Sequence, residues 1–253
     1  MKSRHVDTEV RPFFKLFEQL GRRHDYATVF DDFITISLTQ FVHPDCEIGK
    51  SWHHLAISKY EAEEKSLINQ MFAEMILSYK QNIVDDTSWF DFFGNLYMEV
   101  AGKSKSSRFG QFFTPEDLCD FINLSLQLEG TGKYINDPAC GSGRMLISHH
   151  VKNLGNYYVG EDLDLICCKM TVLNFLFHAC IGEIIHHDSL MEPDTFRHRF
   201  VVNRFLDKTG GIPHVTIEVN GELPYTRFKK LENMTQPLKE IEIAPVYEQL
   251  SLF

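Results

Sequence analysis

Apolar residues recur at helical spacing through the first hundred positions. Phe13, Phe14, Leu16, Phe17 and Leu20 share one face that ends at Gly21, and a second helix, from about Asp25, runs through Val29, Phe30, Phe33, Ile34 and Ile36. Roughly Lys59 to Gln81 repeats the pattern with Leu67, Ile68, Met71, Phe72, Met75, Ile76 and Tyr79. Asp86-Thr87-Ser88 reads as the N-cap region of a fourth helix, Trp89 to about Met98. The aromatic residues of this half read as core. After a polar, basic, turn-rich stretch at 101–108 the pattern changes, and short apolar runs ending in acidic residues alternate with helical ones. Thr114 caps a helix from Pro115 to about Leu128. Strands then end at Asp137, at Glu161-Asp162, at Asp188 and near Val202, with helices after Gly143 and over Leu165 to Cys180. His214 to Leu223 reads as a hairpin turning at Asn220-Gly221. Strands alternating with helices predict an α/β fold with a parallel sheet. The divisions expected are a helical subdomain over 1–102, an α/β domain over 103–228 and a polar tail over 229–253.

Composition narrows the class. With 253 residues, 43% hydrophobic and 24% charged, the chain is an ordinary globular protein. No apolar run reaches the length of a membrane span and no signal-peptide core follows the start, so a cytoplasmic protein without a membrane partner is expected. The six cysteines form no CxxC pair and the histidine doublets match no zinc spacing, so no metal is expected. The net charge of −10 argues against strong autonomous DNA binding, because phosphate neutralisation supplies most of such affinity, and a partner would have to supply the grip.

The candidate chemistry centres on Asp137-Pro138-Ala139-Cys140-Gly141-Ser142-Gly143. A strand that ends in an acid, turns through small residues and re-enters as a helix presents backbone N–H groups to a ligand, and Gly141 and Gly143 permit positive φ and close approach. The loop lacks both the GxGxxG spacing of dinucleotide sites and the Gly-Lys-Ser/Thr of a P-loop, and Asp137 would repel a pyrophosphate while suiting an ammonium or a ribose hydroxyl. About 20 residues on, Glu161, Asp162 and Asp164 offer carboxylates at the end of the next strand.

These seven residues resemble the cofactor motif of S-adenosylmethionine-dependent DNA methyltransferases of the adenine-N6 group, which includes the modification subunits of type I restriction systems. Gly110-Gln111-Phe112-Phe113-Thr114-Pro115 is similar to the segment that precedes the loop in that group and packs over the cofactor. The resemblance covers roughly residues 85 to 206. It implies a Rossmann-like methyltransferase fold, here with a sheet that the 47 residues after Leu206 leave short, and S-adenosylmethionine as cofactor. The residues it implies for cofactor binding are Phe112, Thr114, Pro115, Asp137, Pro138, Ala139, Gly141, Gly143, Asp162 on the ribose and Asp188 on the adenine amine.

The group's catalytic motif is Asn/Asp-Pro-Pro-Tyr/Phe, and at the corresponding place this chain reads Asn203-Arg204-Phe205-Leu206, without the prolines and with the aromatic one position early. The resemblance makes Asn203 the holder of the target amine and Phe205 the ring that stacks on the flipped base. The implied function is methylation of adenine N6 in DNA, of restriction-modification type and with a separate specificity or partner subunit. The alternative is a catalytically inactive homologue that binds the cofactor and acts as a DNA- or clamp-associated partner. Methylation of a protein or small molecule shares the same loop. At the carboxyl end, Gln249, Leu250, Leu252 and Phe253 resemble the pentapeptide with which bacterial proteins bind the sliding clamp.

Overall fold

The computed structural model describes residues 10–101, 111–126, 128, 130–191 and 195–219. Five helices come first: α1 (Arg11–Leu20), α2 (Tyr26–Thr39), α3 (Glu47–Ile57), α4 (Ala62–Asn82) and α5 (Phe92–Ala101). Local chemistry sets their starts. The Asp25 carboxylate accepts from the Thr28 N–H at 3.1 Å, and Glu61 and Glu64 close a reciprocal capping box at the head of α4. α5 begins three residues later than the pattern predicts. Asp85 draws the N–H groups of Thr87 and Ser88 into a separate turn, and Asp91 takes the capping position with its carboxylate 2.8 Å from the Gly94 N–H. α3 escapes prediction because only Gly49 and Ala56 are fully buried along it.

α6 (Glu116–Leu126) leads into β1 (Tyr134–Asp137), α7 (Arg144–Lys152), β2 (Tyr157–Asp162), α8 (Leu165–Phe177) and β3 (Gly182–His186), followed by β4 (His198–Val202) and β5 (Val215–Glu218). The first acceptor of α6 is the Pro115 carbonyl, which receives the Leu118 and Cys119 N–H groups at 3.0 Å. Pro115 therefore stands at the cap in place of Thr114, whose carbonyl is taken by Arg144.

The five strands lie in sequence order, β1-β2-β3-β4-β5. β1, β2 and β3 are parallel and joined through α7 and α8, a Rossmann-like α/β arrangement. The helices pack on one face of this sheet, where Tyr158, Ile184, Phe200 and Val215 join a core continuous with Phe13, Phe33, Tyr79 and Phe92. Tyr79 lies at the centre, stacked on Phe177 at 4.2 Å with its hydroxyl donating to Asn174 Oδ1 at 2.6 Å. Each such buried ring contributes about 2–3 kcal/mol by removal of apolar area from water. On the opposite face Glu183 and Arg199 form a buried ion pair beside Val159 and Ile185.

β4 runs antiparallel to β3, pairing Val202 with Gly182 and His198 with His186. Only residues 187–197 separate the two strands, fewer than the dozen or more that a parallel crossover needs. Asn203 and Phe205, expected from the sequence to act on the acceptor, follow directly after β4. The reversal carries them to the amino end of β3, roughly 13 Å along the sheet from the carboxyl ends of β1 and β2. There Asn203 is fully buried with φ +56°. Its amide donates to the carbonyls of Phe175 (3.2 Å) and Cys180 (3.0 Å), and its Oδ1 accepts from the His214 N–H at 3.1 Å. Asn is among the few residues that tolerate this left-handed backbone, and here it ties the α8–β3 turn to the β4–β5 connection. Phe205 is half-exposed against His214, between Arg204 and Lys208.

The expected Asn220-Gly221 turn and the clamp-like Gln249, Leu250, Leu252 and Phe253 lie outside the described residues. Among the described residues no helix is long and apolar enough to cross a membrane, and no group of three or more His, Cys, Asp or Glu is placed to hold a metal ion.

Asn203→Ala removes three buried side-chain hydrogen bonds and puts alanine in left-handed backbone. It is expected to lower the unfolding free energy by about 3 kcal/mol in urea titrations. A loss under about 1 kcal/mol would contradict the anchoring role of this side chain.

Candidate cofactor-binding site

At the end of β1 the Asp137 carboxylate accepts from the Ala139 N–H at 3.1 Å, turning the chain across the top of the sheet. The Cys140 N–H bonds the Glu161 carbonyl of β2, and the Gly141 N–H donates to Asp162 Oδ2 at 2.9 Å. Gly141 has φ +56°, and a Cβ there would stand 2.9 Å from the Phe113 ring. Gly143, at φ +86°, caps α7, and a Cβ on it would meet Thr171 at 2.8 Å. Both positions require glycine for conformation and for space.

This geometry revises one expectation. The N–H groups of Ala139, Cys140, Gly141 and Gly143 are all consumed within the loop or by β2, so they are not displayed to an anion. What the loop displays is carboxylate. An open cleft of about 640 Å³ runs between α6, the 111–114 segment, β1 and α7, with Asp137 and Asp162 in its wall. Burial raises the pKa of Asp162, which the charges of Asp164 and Asp137 reinforce against hydrogen bonds from the Asp164 and Gly141 N–H groups. Burial likewise raises Asp137, offset in part by the Ala139 N–H. Glu161 behaves oppositely. Burial pushes its pKa up, but hydrogen bonds from His187 and Asn136 outweigh burial and hold it below the ordinary value. A concave site with two partly buried carboxylates favours a cationic or hydroxyl-bearing ligand.

Of the residues singled out from the sequence, Phe112, Thr114, Asp137, Pro138, Ala139, Gly141 and Asp162 line the cleft. Pro115 and Gly143 stand behind it as the caps of α6 and α7. Asp188 lies outside the wall and accepts from the Leu190 N–H at 3.0 Å, while its neighbour Ser189 donates to the Pro138 carbonyl at 2.7 Å. Phe112 projects into solvent at 88% exposure, so it is Phe113 that rests on Gly141 and packs against Tyr97 at 5.0 Å. Asn203 and Phe205 are not brought to the cleft.

Sequence reasoning missed the group that holds this loop in shape. Asp91 is fully buried, and its two oxygens accept from the Gly94 N–H (2.8 Å), Ser142 Oγ (2.5 Å), Arg144 Nε (2.5 Å) and Asn174 Nδ2 (2.7 Å). Arg144 spends its other nitrogens on the Thr114 carbonyl at 3.1 Å and Asn95 Oδ1 at 2.6 Å, with its guanidinium 5.7 Å from the Phe113 ring centre. One ion pair thus ties α5, the loop, α7, α8 and the Phe113-Thr114 segment together. An isolated Asp in Trp89-Phe90-Asp91-Phe92 gives no signal beyond its contrast with the apolar residues around it.

Residues 89–204 match the family model described as N-6 DNA methylase. This stretch is similar to that family. It contains Asp91, the whole loop and Asp162, and it ends at the displaced Asn203-Arg204. Two methylase subunits of type I restriction enzymes of Methanocaldococcus jannaschii are similar to this chain. MjaIX is 29% identical over 154 residues, covering 52% of this chain, and MjaVII is 30% identical over 118 residues, covering 43%. The chain spans 27% and 20% of their respective lengths. A solved structure from Listeria monocytogenes, described as a class I S-adenosylmethionine-dependent methyltransferase, aligns over 73% of this chain and 55% of its own with 14% identity and a TM-score of 0.34.

Arg144→Met strands the buried Asp91 carboxylate and is expected to cost about 3–5 kcal/mol. Asp91→Asn in the same chain should restore part of that loss, giving a coupling of at least about 1 kcal/mol in a double-mutant cycle followed by urea unfolding. Additive single losses would mean that the two side chains act independently.

Proposed function

We propose that this chain is the cofactor-binding module of an S-adenosylmethionine-dependent DNA methyltransferase of restriction-modification type, acting on adenine N6. The observation that carries the reading is the acidic cleft at the joined carboxyl ends of β1 and β2, lying wholly within the N-6 DNA methylase match. S-adenosylmethionine supplies a methyl group already activated on a sulfonium, so the protein's work is to attract, orient and enclose a cation.

The residues fit that work. Each Asp162 oxygen accepts one main-chain N–H, from Gly141 or Asp164, and keeps a lone pair for a ribose hydroxyl. Asp137 sets a second negative charge in the same wall, suited to the ammonium or sulfonium end. Asp188 is assigned to the adenine amine by the resemblance alone, since it stands outside the cleft wall on the adjoining loop, which Ser189 links to Pro138. Phe112 gives the cleft mouth an aromatic face, and Thr114, Pro115, Ala139 and Gly143 fix the cleft's shape.

Asn203 and Phe205 do not hold the acceptor in this reading, because Asn203 has its side-chain amide engaged by main chain at the far end of the sheet. The acceptor amine is presented by a surface beyond the described residues, and DNA and a separate specificity subunit are the partners proposed. The net charge of −10 agrees with a grip on DNA that comes largely from such a partner.

Calorimetry with S-adenosylmethionine tests the cofactor reading, and Asp162→Asn should weaken binding by about 10-fold or more. Because burial raises both Asp137 and Asp162, affinity for the cation is expected to be highest where both are ionised and to fall on acidification, starting at a higher pH than for exposed aspartates. The same raised values make these groups destabilise the ligand-free fold at neutral pH, so their own contribution to stability moves the opposite way, improving as pH falls. Absence of binding at any pH, or equal affinity of Asp162→Asn, would refute the site. Labelled methyl transfer to adenine in DNA, with the specificity subunit supplied, tests the substrate, and cofactor binding with no transfer would refute the reaction.

A further inference from the structure

We propose that Glu161, which stands outside the cleft wall, is a positioning residue of the cofactor site: bridged between Asn136 and His187, it fixes the strand ends that carry Asp137 and Asp162 and sets a standing negative charge beneath them. This role rests on the reading of the cleft as an S-adenosylmethionine site. Asn136, Glu161 and His187 each immediately precede a carboxylate that the resemblance implies for the cofactor, Asp137, Asp162 and Asp188. Successive side chains of a strand turn to opposite faces, so these three share the face turned away from the helices. Asn136 is in register with Val159, while Glu161 lies two beyond Val159 and His187 two beyond Ile185, the apolar pair of that face. There the Asn136 amide donates to Glu161 Oε1 at 2.8 Å, and His187 Nε2 meets Glu161 Oε2. The three side chains form one transverse rung.

The rung lies where the main-chain ladder runs out. The last registered pairs are Asp137 with Gly160 and Asp162 with His186, after which β1 turns into the loop and β3 leaves toward Asp188. Beyond them the Glu161 carbonyl receives the Cys140 N–H at 2.9 Å, and the Asp162 carbonyl receives the His187 N–H at 3.0 Å. Glu161 thus holds the loop by its main chain and the ends of β1 and β3 by its side chain. Such a rung fixes the separation of Asp137 and Asp162, on which a ligand bridging them depends.

The rung also keeps its charge. Burial acts to raise the Glu161 pKa, but the bonds from His187 and Asn136 outweigh it, so Glu161 stays ionised at acidities where Asp137 and Asp162 take up protons. His187 Nδ1 is buried with no partner among the described residues, which favours the tautomer that carries its hydrogen on Nε2 and donates it to Glu161. The other charged side chains described on this face, Glu183, Arg199 and Glu218, pair with one another. In the cleft wall Arg144 is committed to Asp91, and His149 meets Tyr158 Oη and the Leu128 carbonyl. Burial raises the Asp137 pKa first, and the Glu161 charge adds to that rise against the Ala139 N–H.

Two measurements on the whole chain separate this role from the cofactor reading. Carboxyl-carbon NMR of the ligand-free protein reads the titration of Asp137, and calorimetry reads S-adenosylmethionine affinity over the same pH range. Glu161→Gln keeps the shape of the rung and removes its charge. It is expected to move the Asp137 titration and the acid limb of cofactor affinity to lower pH, and to weaken binding at neutral pH by about 5-fold. His187→Ala, which cuts the rung, should also weaken binding by about 5-fold, and His187→Gln, whose amide nitrogen reaches the place of Nε2, should restore it to within about 2-fold of wild type. A wild-type chain that binds no S-adenosylmethionine at any pH overturns the cofactor reading and this role together. Normal wild-type binding with the Asp137 titration unmoved in Glu161→Gln overturns the role of Glu161 alone, as does a loss of affinity that is equal at every pH.

Discussion

The carboxylate of Asp91 is the point on which the site depends. It lies beyond the reach of water, and a buried charge is tolerable only when each of its lone pairs finds a donor. The donors come from four separate pieces of chain: the first turn of α5, the loop at Ser142, the head of α7 and the last turn of α8. Satisfying one anion therefore fixes where the loop crosses the sheet. Arg144 extends the same constraint to the Thr114 carbonyl and the Phe113 ring, and the ring in turn leaves no room for a side chain at residue 141. The helical half thus serves the site by holding a loop that its own contacts to β2 only partly determine.

A second constraint is the length of the segment between β3 and β4. Too short for a crossover, it turns the chain back, and β4 and β5 fall on the β3 side of the sheet. The cleft consequently lies beside an edge strand and not in the crevice where a doubly wound sheet reverses its order. That single topological fact separates Asn203 from the loop and leaves β1 with one neighbour among the described residues. It also gives the cleft an open flank lined by Ile135 and Leu126.

Much was legible before any coordinates. Capping residues and 3.6-residue periodicity located α1, α2 and α4 closely, and apolar runs closed by acids located β1, β2 and β3. The loop from Asp137 to Gly143 stood out by residue type and spacing, and Asp162 was singled out from Glu161 and Asp164 by the family resemblance; the two meet through the Gly141 N–H. Misreadings occurred where one residue type serves two purposes. Asp85 and Asp91 are both short acids before a helix, and only packing shows which one caps it. Phe112 and Phe113 are chemically identical neighbours, and only the turn of the chain sends one into solvent and the other onto the loop. Asn203 resembles a catalytic amide by position, yet the same donor and acceptor atoms serve equally well to pin a left-handed turn.

The sequence by itself determined the class of fold, the glycine-bearing loop after β1 and the acidic character of the cleft. These follow from local rules: periodicity, glycine's tolerance of positive φ, and the charge of residues at strand ends. Tertiary structure alone decided which way β4 runs, whether the loop amides face a ligand or the protein, and what stands opposite Asp91. Each of those depends on contacts between residues far apart in the chain, and their partners are not encoded at any fixed spacing. Asp91 and Asn174 are 83 positions apart and meet at 2.7 Å.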